Sequence, residues 1–116
     1  MAKTPVLPIN YTVQITNLNA GGTVPQGQFQ LTIEYTNPTQ DNLTLTVTDS
    51  AGAIITLASQ VVGPTATDGT PGTVTVTIDY TNIPVGTIDS ITVSLTDSTP
   101  SMVASDNVDN ITIVSP

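Results

Sequence analysis

Two carboxylates, Glu34 and Asp79, occupy matching places in the segments LTIEYTN (31–37) and VTIDYTN (76–82). A pair of acids on neighbouring strands is the least that glycosidase-like acid and base chemistry needs. Both fall in the strand phase opposite to the apolar residues, so the expected place for each is a solvated face. Four more acids, Asp49, Asp97, Asp106 and Asp109, stand at or beyond strand ends. Hairpin folding is expected to gather them at one end of the molecule, where oxygen ligands from separate loops suit calcium. No D-x-[DN]-x-[DN]-G loop is present, and Asp before Ser or Gly at a strand end is first of all turn chemistry. The first expectation is therefore no cofactor, with calcium the alternative. The chain has no His and no Cys, so its many Ser and Thr hydroxyls lack the usual base and the sequence points away from an enzyme.

The 116 residues, one domain by length, include one Lys or Arg against nine Asp and Glu, a net charge of −8. That balance repels phosphate backbones and anionic membrane surfaces, so neither nucleic acid nor membrane is an expected partner. The single cation is Lys3, which leaves almost no internal salt bridging and few tryptic sites. Charged residues make up 9% and apolar ones 38%, so solubility rests on Thr, Ser, Asn and Gln. Aromatic residues are 3%, and Phe29, Tyr35 and Tyr80 lie in the apolar phase, which leaves only Tyr11 as an exposed sugar platform. Without Cys there is no disulfide framework.

These side chains are positioned by period-2 alternation, which predicts seven strands and no helix. The runs are marked by Tyr11, Val13 and Ile15; by Phe29 to Tyr35; by Leu43, Leu45 and Val47; by Ala53 to Ala58 with an extension at Val61 and Val62; by Val74 to Tyr80; by Ile91, Val93 and Leu95; and by Ile111 and Ile113. Residues 31–50 are echoed by 76–98, each copy running through Tyr-Thr-Asn to Thr-Asp-Ser, which reads as one β-hairpin written twice. Residues 1–10 carry Pro5 and Pro8 around Val6, Leu7 and Ile9 and are expected to form an extended arm, with the domain at 11–116.

About seven short antiparallel strands in two similar halves resemble an immunoglobulin-like β-sandwich, an all-β fold with strands two and five in one sheet and three, six and seven in the other. The antibody-type Cys pair and core Trp are missing. With its acidic, Lys-poor composition and no secretory leader in MAKTPVLPIN, the chain is similar to the small domains on bacteriophage virion surfaces. That resemblance implies synthesis in the host cytoplasm and a multi-copy or homo-oligomeric capsid decoration or head-fibre-like role. It also implies docking on a major capsid protein or other virion protein through Pro5, Val6, Leu7, Pro8 and Ile9. The competing expectations are a repeat of a bacterial adhesin or surface-layer protein at the cell surface, and a filament subunit.

Overall fold

The computed structural model describes residues 10–116, so the arm residues Pro5 to Ile9 lie outside the described residues. Alternation becomes strand wherever one phase can be buried, giving β1 (Thr12–Ile15), β2 (Thr23–Pro25), β3 (Gln28–Thr36), β4 (Leu43–Asp49), β5 (Ile54–Thr56), β6 (Ser59–Val62), β7 (Gly72–Asp79), β8 (Ile88–Thr96) and β9 (Met102–Val114). They form a four-stranded sheet, β1-β3-β7-β5, packed on a five-stranded sheet, β2-β9-β8-β4-β6. The described residues are therefore an all-β sandwich. Ile33 and Ile78 from one sheet and Leu45 and Val93 from the other are each 0% exposed, so the phase read from the sequence is the one that faces inward.

The repeat is real, but it is not a hairpin. Within each copy the two strands belong to different sheets: β3 pairs with β7, and β4 pairs with β8. In the first sheet Leu31 lies opposite Val76, its own counterpart in the repeat, and in the second Thr46 lies opposite Ser94, again its counterpart. A pseudo-twofold axis therefore passes through the centres of both sheets and exchanges the two repeats. Tight turns cannot produce this arrangement. The segments after Thr36 and Asp79 instead carry the chain across the core, which satisfies two apolar faces at once.

The strand count and direction also differ from expectation. The run expected over Ala53 to Ala58, with its extension at Val61 and Val62, divides at Leu57, which takes the left-handed conformation at φ 62°. Its first part, β5, pairs with β7 in one sheet, and its second part, β6, pairs with β4 in the other. Thr23–Pro25 adds a short strand parallel to β9, so the sandwich is not wholly antiparallel. Its single apolar residue between Thr and Pro gave too little alternation to announce a strand, yet Val24 is buried.

The dyad pairs Tyr35 with Gly72 and sets the N–H of Tyr80 on the carbonyl of Gly27 at 2.7 Å, two equivalent Tyr-Gly contacts at opposite poles. At Gly72 an added Cβ would lie 2.8 Å from ring atoms of Tyr35, whereas at Gly27 it would meet nothing within 4 Å. Gly72→Ala is expected to cost about 1–3 kcal/mol by forcing the buried ring aside. In a Tyr35→Leu background the same change costs clearly less, a non-additivity that a denaturant-unfolding double-mutant cycle measures.

Candidate functional site

Glu34 and Asp79 do lie on adjacent strands. Glu34, however, is opposite Thr73 and Asp79 is opposite Gln28, so they stand six residues apart along the ladder, about 20 Å. That is too far for one sugar bond between two carboxyls. The expected gathering of Asp49, Asp97, Asp106 and Asp109 at one pole is likewise corrected. Because β4 and β8 run antiparallel, their equivalent ends are at opposite poles: Asp49 is opposite Ile91 near the start of β8, while Asp97 follows its far end. Asp106 lies in mid-strand opposite Val93, and Asp109 further along β9 is exposed. Among the described residues no three His, Cys, Asp or Glu side chains converge on a metal-sized point.

Most of these carboxylates answer a local backbone need. Asp106 Oδ2 accepts the outward N–H of Ile15 at 2.8 Å and ties the edge strand β1 to the opposite sheet. Asp97 accepts from the Thr99 hydroxyl and from the N–H groups of Ser101 and Thr99, and those bonds hold it below the ordinary carboxylate range. Bonds from Thr81 do the same for Asp79, and bonds from Thr70 for Asp68.

Among the described residues one group of acids does converge, and it was not foreseen. Asp89, 2% exposed, accepts from the Ser50 hydroxyl and the Ala51 N–H at 3.0 Å each through Oδ1, and from the Tyr80 phenol at 2.9 Å through Oδ2. The same phenol reaches Asp49 Oδ1 at 3.3 Å, and Asp49 Oδ2 accepts the Ala53 N–H at 2.8 Å. Tyr80, at 0% exposed, thus brings its hydroxyl to two acids that together hold the turn between β4 and β5. Burial and the neighbouring Asp89 push the Asp49 carboxyl up to about 7. Burial also opposes charge on Asp89, yet hydrogen bonds from Asp49, Tyr80, Ser50 and Ala51 outweigh it and hold that carboxyl low. Burial and the bond to Asp89 drive the Tyr80 phenol far above its usual value. Below pH about 7 the pair therefore carries one proton between two acids, held mainly by Asp49.

The sequence contained a signal for this cluster. Asp89 and Asp41 are counterparts across the repeat, as are Asp49 and Asp97 and Tyr80 and Tyr35. A dyad between the copies brings the Tyr of one repeat to the Thr-Asp-Ser end of the other. Only one pole closes in this way, because at the other Tyr35 lies over Gly72 and Asp97 turns to its own loop.

A shallow groove of about 380 Å³ on the outer face of the first sheet is lined by Asn10, Thr12, Gln14, Glu34, Thr36, Gly69 and Pro71. It offers one carboxylate among hydroxyls and amides, with no aromatic ring. No protein-family model matches the chain, and no curated protein matches it.

The acid pair makes stability depend on pH in a definite sense. A carboxyl raised in the fold binds its proton more tightly there than in the unfolded chain, so its contribution is full below about 4 and is lost as pH rises to about 7. The lowered acids act oppositely, losing their contribution only as pH falls below 3.8 toward their depressed values. The melting temperature is therefore expected to fall by a few degrees between pH 5 and pH 8. Asp49→Asn, which keeps a donor toward Asp89, should flatten most of that slope in thermal melts. Tyr80→Phe removes the donor shared by both acids and is expected to cost about 1–3 kcal/mol in denaturant unfolding at neutral pH.

Proposed function

We propose that this chain is a non-enzymatic structural module of a multi-copy assembly, an immunoglobulin-like domain displayed on a bacteriophage particle as a capsid decoration or head-fibre-like protein. The observation that carries this reading is the use made of the acids. Asp49 and Asp89 hold the turn after β4, Asp68, Asp79 and Asp97 cap their own turns, and Asp106 ties down β1. Polar chemistry of this kind serves shape rather than turnover. The orders β1-β3-β7-β5 and β9-β8-β4 favour the immunoglobulin-like assignment, since sandwiches of that type join their strands in the same sequence.

A net charge of −8 favours a protein lattice over nucleic acid or an anionic membrane as the surface engaged. In this reading Pro5, Val6, Leu7, Pro8 and Ile9 grip the major capsid protein or another virion protein. The domain is made in the host cytoplasm and ends on the virion exterior, without a cofactor.

Purified particles from the source should contain the chain in fixed ratio to the major capsid protein. Deleting residues 1–9 should abolish attachment to particles while leaving the thermal melt of the domain nearly unchanged. Attachment that survives the deletion removes the arm from the reading. Recovery only in a cell-wall fraction, within a longer polypeptide, makes the domain an adhesin or surface-layer repeat instead.

A further inference from the structure

The two flanks of the sandwich are treated differently. On one flank β1 has four residues and β2 three, β2 ends in Pro25, and Asp106 takes the outward N–H of Ile15. Just beyond β1, the Asn17 side chain bonds the N–H of Thr32 and the carbonyl of Gln30, closing the remaining edge of β3. Short strands, proline and an inward-reaching charge are the usual protections of a sheet edge. On the opposite flank, β5 and β6 are the outer strands of both sheets, and residues 50–67 contain neither a charge nor, before Pro64, a proline. Ile54, Leu57 and Val61 on this flank are 67%, 60% and 67% exposed.

Pseudo-symmetry sharpens the contrast. The dyad that exchanges β4 with β8 carries β6 onto the place of β9, and β9 has a strand, β2, on its outer edge. Among the described residues, β6 has none. The N–H of Val47 bonds the carbonyl of Ala58, and Thr46 lies opposite Ser59, so the alternation of an antiparallel ladder directs the N–H and C=O groups of Ser59 and Val61 outward.

We propose that β6 is a self-association edge, pairing antiparallel with β6 of a second copy about a twofold axis near Val61 and joining two five-stranded sheets into one of ten. The occupant is a second copy for electrostatic reasons. Two molecules of charge −8 whose single cation is Lys3 repel wherever acids meet, and this flank lets them approach along 18 uncharged residues (50–67) on each side. A basic partner would gain nothing from this strip and would be drawn to the acids elsewhere. An isologous contact also closes on itself, with Val61 near the axis in both copies. The three exposed side chains present on the order of 300 Å² of apolar surface per copy, the size of the largest patches on monomers and below the ~800 Å² per partner of stable complexes, so the association is weak in dilute solution and effective when copies are crowded. This inference concerns the domain itself and does not depend on what the assembly is.

Sedimentation equilibrium of the full chain at rising concentration tests it. The wild type should pass from monomer to dimer below ~1 mM, and Val61→Lys should raise the dissociation constant at least about tenfold without shifting the melt, because residue 61 is exposed in the monomer. Val85→Lys, at an exposed apolar residue between β7 and β8, should leave association unchanged, as should deletion of residues 1–9. A wild type that stays monomeric to ~1 mM overturns the proposal, as does a dimer indifferent to Val61→Lys. Equal loss from Val85→Lys identifies unspecific apolar contact, and loss on deleting residues 1–9 assigns the edge to the arm; either result also overturns it. Particle attachment is read separately, so failure here and failure of the decoration reading are distinguishable.

Discussion

Each half of this sandwich is held by the strand that corresponds to it in the other half. Leu31 opposite Val76 and Thr46 opposite Ser94 fix one axis through both sheets, and every other placement is measured from it. Because strand periodicity is two, slipping either ladder by one residue would turn the inward residues of the slipped strand, Ile33 or Ile78 in one sheet and Leu45 or Val93 in the other, to water and their Thr neighbours into the core. A chain with no disulfide and one cation has little besides this apolar phase to specify its register. The arrangement also places the most specific polar cluster at a pole, where Tyr80 meets Asp49 of the other repeat and Asp89 of its own.

The core was legible because burial is what alternation reports. Residues on β3, β4, β7 and β8 alternate without interruption, and all four strands form where the period says. What the period cannot report is which sheet a strand joins. Reading 31–50 as a hairpin failed because a turn and a crossing between sheets use the same Asn, Pro and Thr residues; the distinction lies in long-range pairing. Leu57 was equally silent, since a left-handed leucine has no local signature and is imposed by the need of β5 and β6 to serve different sheets. The cluster of Asp49, Tyr80 and Asp89 was hidden for a related reason. Tyr80 was correctly placed in the apolar phase, but the hydroxyl at its tip finds Asp49, in the other repeat, only across the axis.

Charge scarcity shapes how this molecule uses acids. With no guanidinium or ammonium in the domain, a buried carboxylate must be neutralised by hydrogen bonds or by a proton. Asp89 takes the first course with Ser50, Ala51 and Tyr80 as donors, and Asp49 the second. The division is a consequence of donor supply: the turn at 50–53 offers two donors to Asp89 and one to Asp49, and two adjacent anions would repel at close range in a partly dry setting. The cluster is thus a latch for the turn that launches β5.

That latch stands at the beginning of the less protected flank. The bond from Ala53 to Asp49 fixes the residue immediately before Ile54, so the start of the uncharged edge is held by side chains from β4 and from the start of β8. An edge that meets another molecule gains when its backbone is ordered beforehand, because less conformational entropy is lost on pairing. A mobile β5–β6 run would also expose unpaired N–H and C=O groups in many registers, inviting indiscriminate aggregation. Ordering from the pole, a sheet switch at Leu57 and only two outward residues on β6, Ser59 and Val61, confine pairing to a short span. The same features that make this flank available also limit how it can be used.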